Sequence, residues 1–148
     1  MIEIIPMTQI HLPAAIEIER ECFSDPWSPD TLRGDVESPN SLYLAAVDSD
    51  CGGKLVGYAG IVRILDEGHI HNVAVTPEYR RMGLGSMLTG ELLACARETG
   101  LCSVFLEVRQ SNKAAIALYG GLGFEVSGRR PRYYQNPAED ALLMMLSL

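Results

Sequence analysis

The sequence predicts a single mixed α/β domain: one central sheet with helices on both faces. Three observations carry this. At 148 residues the chain fits one domain, and one core of that size buries roughly 70 % of the unfolded surface. No repeat, low-complexity tract or composition break divides residues 1–148, so no linker is expected. The apolar patterns also alternate between the period of strands and that of helices, in the order β-α-α-β-β-β-α-β-α-β-β.

Taken in order, "IEIIP" opens as a short strand, and "LPAAIEIERECF" has helical spacing at Leu12, Ile16 and Phe23, with Pro13 suited to a first turn. "SPDTLRGDVE" begins a second helix, with Ser28 as N-cap, Pro29 at the first helical position and Asp30 near the positive end of the dipole. "SLYLAAVD" and "KLVGYAGIVRIL" flank the turn "SDCGG" and read as a β-hairpin. "HIHNVAV" is a further strand, long enough to be central. "GSMLTGELLACARETG" places Met87, Leu88, Leu92, Cys95 and Ala96 on one helical face, and Gly100 stops it. "CSVFLEV" is a strand and "NKAAIALYGGLG" a helix capped by Asn112. "FEVSGRRPRYY" and "DALLMMLSL" close the chain as a strand pair.

Composition narrows the class of function. Nineteen acidic against twelve basic residues give a formal net charge of −7. That balance argues against nucleic acid and favours a cationic partner. No basic segment followed by a long apolar core opens the chain, and no apolar run reaches the roughly 20 residues of a membrane helix. No signal peptide and no membrane are therefore expected. Cys22, Cys51, Cys95 and Cys102 show no C-x-x-C spacing, which suits a reducing cytoplasm.

Against that acidic background, "TPEYRRMGLGSML" concentrates positive charge and flexible backbone between a strand and a helix. A strand, a glycine turn and a helix leave backbone N–H groups converging beyond the helix N-terminus, a site for an anion and best for a phosphate. Gly83 and Gly85 permit positive φ and close approach of a ligand, and Arg80 and Arg81 add charge. Glycines alone would more simply build a tight strand-to-helix turn, with the arginines solvated. No P-loop string is present, and "GLGSML" ends in Leu88 in mid-chain, so the dinucleotide fingerprint fails as well.

The pattern R/Q-x-x-G-x-G/A is met by Arg80-Arg81-Met82-Gly83-Leu84-Gly85, and here the chain resembles the GNAT superfamily of acetyl-CoA-dependent N-acetyltransferases. The resemblance implies that Val73, Ala74 and Val75 meet the pantetheine arm. It also implies that Arg81, Met82, Gly83, Leu84, Gly85 and Ser86 cradle the pyrophosphate of coenzyme A.

Further on, Glu107 shares a strand face with Phe105 and Arg109, between the apolar Leu106 and Val108. A carboxylate there needs a partner, such as Arg109, or a task. Asn112 and Tyr119, seven residues apart, lie on one face of the next helix. The crevice at the end of the Glu107 strand is thus expected to gather Glu107, Asn112 and Tyr119. Taken singly they read as an ion pair, a cap and a half-buried aromatic.

Together, "LEVRxSNxxAIxLYxxLGF", "PAAIEIE", "PWS", "HNVAVTPEYRRMGLG" and "RRPRYYQNPAEDALLMML" resemble the RimI-type bacterial ribosomal-protein-alanine N-acetyltransferases, nearly end to end. That resemblance implies transfer of acetyl from acetyl-CoA to the N-terminal alanine of a small-subunit ribosomal protein. It makes Glu107 the general base, Tyr119 the general acid and Asn112 a coenzyme contact, with the basic N-terminal segment of the ribosomal protein as partner. Trp27, Tyr133, Tyr134, Glu139 and Asp140 are candidates for the acceptor groove. Ser24-Asp25 before "PWS" and the longer "RRPRYY" depart from the family pattern beside that groove, so a small-molecule amine or another protein N-terminus is the alternative acceptor.

The residues suit direct attack. An N-terminal α-amine has a pKa of about 7.7–8.0, so part of it is already neutral and a carboxylate base suffices. The departing thiolate takes a proton from a hydroxyl such as that of Tyr119, while a backbone N–H of the Val73–Val75 strand polarises the carbonyl. No cysteine stands in a nucleophile setting. His69 and His71 alternate on one strand face without a third ligand, so no metal is expected.

Overall fold

The computed structural model describes residues 1–148. Its elements follow the expected order: β1 (Ile2–Pro6), α1 (Leu12–Cys22), α2 (Pro29–Glu37), β2 (Ser41–Asp48), β3 (Lys54–Ile64), β4 (Glu67–Val75), α3 (Leu84–Glu98), β5 (Ser103–Arg109), α4 (Lys113–Gly121), β6 (Glu125–Tyr134) and β7 (Glu139–Ser147). The local signals act as read. Ser28 caps α2 by accepting from the Thr31 N–H at 3.2 Å, and Gly100 takes φ +81° where α3 stops. Asn112 caps α4 through Ala115 N–H at 3.1 Å.

One seven-stranded sheet has the order β1-β2-β3-β4-β5-β7-β6. β7 inserts between β5 and β6, so the closing strands pair with each other while β7 alone continues the sheet. Every pairing is antiparallel except β4 with β5. A β-bulge interrupts the β3–β4 ladder, where Gly60 stands opposite Asn72 and Ile61 opposite Ile70, with His71 as the extra residue.

A core lies on each face. α3 and α4 pack Leu84, Leu88, Leu92, Leu93, Ala96 and Tyr119 against Ile61, Ile70, Leu106 and Val108 of the sheet. α1 and α2 pack Leu12, Ala15, Ile18 and Leu32 against Tyr43, Tyr58 and Ala74. The helical faces are rotated from the simple spacing. In α3, Met87 is exposed and Cys95 only half-buried, because the helix starts at Leu84 and aims Leu84, Leu88 and Leu92 at the sheet. In α1, Ile16 and Phe23 are half-buried, while Ala15, Ile18 and the carboxylate of Glu19 face inward.

Candidate active site

The chemistry-bearing residues surround a split in the sheet. β4 and β5 are hydrogen-bonded only from Glu67–His69 to Ser103–Phe105. Beyond that point β4 stays on β3 as far as Val75, and β5 stays on β7 as far as Arg109. The strands part company, and their facing edges are left without a ladder. In an open sheet such a crevice at the carboxyl ends of parallel strands is where a ligand enters.

The turn after β4 leads to the mouth of this split. Arg81 and Gly83 both have positive φ, +65° and +78°, so the backbone coils tightly into α3. Gly83 is the N-cap and offers no side chain. None of the six N–H groups from Arg81 to Ser86 donates to a carbonyl of the chain; the first to do so is Met87, to Gly83 O at 3.0 Å. Six free donors at the positive end of a fifteen-residue helix are groups that an anion could satisfy. Arg80 points elsewhere. Its guanidinium donates to Val75 O at 3.1 Å and to Cys22 Sγ at 3.3 Å, pinning the turn to β4 and α1, while Arg81 stays exposed.

The two glycines of the turn serve different ends. A Cβ on Gly83 would meet nothing within 4 Å, whereas one on Gly85 would lie 2.9 Å from Leu118 Cδ1 of α4. A side chain at Gly85 would thus press on the tip of Leu118 where α3 meets α4, a contact its spacing in the sequence did not reveal.

Glu107, Asn112 and Tyr119 do not sit on one surface. Val104, Leu106 and Val108 of β5 enter the α3–α4 core, so Phe105, Glu107 and Arg109 face the α1–α2 side. Phe105 accordingly stacks on His69, and Arg109 reaches Ser24. Tyr119 lies on the opposite face, buried against Phe124 at 5.8 Å. Burial alone pushes its phenol up to about 12. The split in the sheet is the only break between these faces that the strand pairing leaves. The Oδ1 of Asn112 is occupied by the helix cap, which leaves only its N–H₂ free to donate.

Arg109 does not neutralise Glu107. Its guanidinium donates to Gln135 O at 2.6 Å, Pro137 O at 2.9 Å, Glu139 Oε1 at 3.3 Å and Ser24 Oγ at 3.3 Å, and it covers the Tyr134 ring at 4.6 Å. Glu107 remains half-buried without a cationic partner. Tyr134, edge-on to Tyr133 at 5.0 Å, is raised above its ordinary value by burial first and by the charges of Tyr133 and Glu107 after it. Glu139 and Asp140 are not free to draw in a cation. Glu139 accepts from Arg109 and from Ser111 N–H, and Asp140 accepts from Arg132 N–H at 2.9 Å with Arg129 at 3.8 Å.

Sequence reasoning passed over two groups on the same face. The Glu19 carboxylate, 2 % exposed, accepts from the Tyr58 hydroxyl, from Asn72 Nδ2 at 3.0 Å and from Trp27 N–H at 2.9 Å. It fixes the loop carrying Trp27 to β4. Asp35 of α2 accepts from the Tyr43 hydroxyl and contacts His71 Nδ1 at 3.1 Å, and Trp27 lies edge-on to the His71 ring at 5.6 Å. Glu19 sits at a helical interval from Leu12 and Ala15, the one signal that could have placed it inside. Asp35 and His71 are 36 residues apart and left no sign in the sequence.

Known proteins show the same architecture. Residues 12–124 match the Acetyltransferase (GNAT) family. The N-alpha-acetyltransferase RimI of Mycobacterium tuberculosis is 40 % identical over 93 % of this chain and 87 % of its own. The ribosomal protein bS18-alanine N-acetyltransferase of Escherichia coli K12 is 38 % identical over 93 % and 91 %. The crystal structure of the Escherichia coli ribosomal-protein-S18-alanine N-acetyltransferase superposes with a TM-score of 0.91 at 36 % identity, covering 99 % of this chain and 94 % of that one. Arabidopsis thaliana NAA60 in complex with acetyl-CoA has the same fold, with a TM-score of 0.92 at 20 % identity over 100 % and 99 %. The chain belongs to the GNAT acetyltransferases and, among them, to the RimI-type N-acetyltransferases.

Proposed function

We propose that this chain transfers acetyl from acetyl-CoA to the α-amine of an N-terminal alanine of a small-subunit ribosomal protein, by direct attack. The observation that carries the reading is the split between β4 and β5, with six unpaired N–H groups at its mouth. A pyrophosphate on the amides of Arg81–Ser86 would leave the pantetheine arm to run along the unpaired edge of β4 at Val73–Val75. The thioester then lies in the split, with Tyr119 on the coenzyme side and Glu107 on the acceptor side. Trp27, Tyr133 and Tyr134 border the acceptor's approach.

In this arrangement Glu107, unpaired and half-buried, takes the proton that the amine sheds as the N–C bond forms. The thioester carbonyl is polarised by a β4 backbone N–H. As the C–S bond breaks, Tyr119 donates to the sulfur. A phenol at about 12 is fully protonated at neutral pH, the form an acid must start in. Complete transfer to a thiolate of pKa about 8.5 is uphill by roughly 5 kcal/mol. Much of the benefit therefore comes from a hydrogen bond that strengthens as charge builds on sulfur. Burial also raises the Cys22 thiol, which keeps it un-ionised and suits a route with no acyl-enzyme.

The test is acetylation of peptides beginning with Ala, Ser or Met, of a peptide with an internal Lys and a blocked N-terminus, and of spermidine. Preference for the Ala-initiated peptide is expected. Turnover of spermidine with no turnover of N-terminal peptides would overturn the reading.

A further inference from the structure

The β-bulge in β4 changes which residues face the acceptor. Ile70 and Val73 pack with the α3–α4 core, whereas Asn72 is bonded to Glu19 of α1 and His71 to Asp35 of α2. The extra residue thus puts two consecutive side chains, His71 and Asn72, on the α1–α2 face, as bulges beside active sites commonly do. Opposite the bulge stands Gly60. A Cβ there would lie 2.2 Å from Tyr43 Cζ, so the glycine is what lets Tyr43 lie across β3 and reach Asp35.

His71 also follows His69 on β4 as Glu107 follows Phe105 on β5, and His69 and Phe105 are the last paired residues of the two strands. Past that pair the ladder has ended, so His71 and Glu107 border the split from its two sides on one face. His69 itself remains in the paired region, stacked on Phe105 at 5.4 Å with Nε2 3.4 Å from Glu67.

We propose that His71, oriented by Asp35, is a second proton acceptor for the incoming amine and works beside Glu107. The proposal rests on the N-terminal acetyltransferase reading above. Asp35 is an acceptor, so Nδ1 carries the hydrogen and donates it, leaving the lone pair on Nε2. The Asp35 carboxyl, 17 % exposed, is subject to burial, which would raise its pKa, but bonds from His71 and Tyr43 outweigh this and hold it low. The imidazole is 32 % exposed, its only hydrogen bond is made through Nδ1, and Trp27 packs edge-on against the ring.

The proton count gives two bases a purpose. An α-ammonium sheds two protons on its way to an amide. His71 Nε2 takes the first and frees the nitrogen lone pair. The neutral amine attacks the thioester carbonyl, forming N–C. Glu107 takes the second proton, the C–S bond breaks, and the thiolate is protonated from Tyr119; the proton held by Glu107 passes to solvent and solvent reprotonates the Tyr119 phenolate, so the two cancel. The imidazolium, stabilised by Asp35, then returns its proton to solvent.

The experiment compares wild type with His71→Asn, which keeps a donor toward Asp35 and removes the proton-accepting nitrogen. Two Ala-type peptides serve as acceptors: an ordinary one, and one begun by trifluoroalanine, whose weakly basic amine arrives neutral. With the ordinary peptide kcat/KM should fall about tenfold, less than the 10²–10⁴ of a sole base because part of the amine is already neutral. With the fluorinated peptide the fall should be small. Acetyl-CoA affinity should not change, and imidazole in the buffer should restore activity to His71→Ala. Asp35→Asn, with its separate site, should reproduce the selective loss should a His71 variant fold poorly. An equal loss with both peptides, or no loss, overturns the proposal while leaving the enzyme's function in place. Failure of the wild type on every N-terminal peptide overturns instead the reading on which it rests.

Discussion

Arg109 and Glu139 meet at 3.3 Å, with side chains only 21 % and 18 % exposed, and this contact leaves Glu107 without a counterion. Arg109 is two residues from Glu107 on the same strand face, yet it binds Glu139, Ser24 and two carbonyls of the β6–β7 turn. One guanidinium thus ties the end of β5 to the α1–α2 loop and to the turn beside Tyr134.

Glu139 should make stability depend on pH. Hydrogen bonding from Ser111 is the main effect; it prevails over burial and, with help from Arg109, holds the carboxyl below its usual value. A depressed pKa contributes stability above the unfolded value of about 4.3, and that contribution is lost as pH falls through the lower folded value. Glu139→Gln should therefore melt below wild type at pH 7, and the gap between the two melting temperatures should close as pH falls through the folded value. A gap independent of pH would show that the charge plays no part.

Arg81→Asn tests the anion cradle. Asn tolerates the left-handed backbone of this position, φ +65°, so lost binding would not reflect strain. Loss of a charge-assisted contact should raise the acetyl-CoA Kd about tenfold or more. The exposed side chain predicts an unchanged Tm. Calorimetric titration showing wild-type affinity would remove Arg81 from the coenzyme site.

Tyr119→Phe separates chemistry from packing. Burial is the sole influence on this phenol, and no hydrogen bond is involved. Removing the hydroxyl should thus leave the Tm unchanged or raise it. Turnover should fall toward the 10²–10⁴-fold range of general-acid loss, with acetyl-CoA affinity preserved. Wild-type kcat would mean that solvent protonates the leaving thiolate.

Glu19→Leu should be costly. It strands the Tyr58 hydroxyl, the Asn72 amide and the Trp27 N–H, a loss of roughly 3–5 kcal/mol and about 10 °C or more in Tm. Adding Tyr58→Phe removes one stranded donor and should recover part of the loss. Independent, additive effects in thermal melts would show that the two side chains are not coupled.

By itself the sequence determined what depends on near neighbours. The order of strands and helices, the caps at Ser28 and Asn112 and the stop at Gly100 were legible because each follows from a few adjacent residues and the period of their side chains. The turn at Arg80–Ser86 was legible for the same reason, since its glycines and its helix start are contiguous. Only the tertiary structure decided the rest. The insertion of β7 beside β5, the early end of the β4–β5 ladder and the bulge at His71 are choices of partner between distant strands, and no local period encodes them. Those choices put Glu107 and Tyr119 on opposite faces of the sheet, gave Arg109 to Glu139, buried Glu19 under Trp27 and brought Asp35 to His71. Charge and hydrogen-bond partners are settled by which surfaces meet, so the chain could nominate candidate residues for the site but not their pairings.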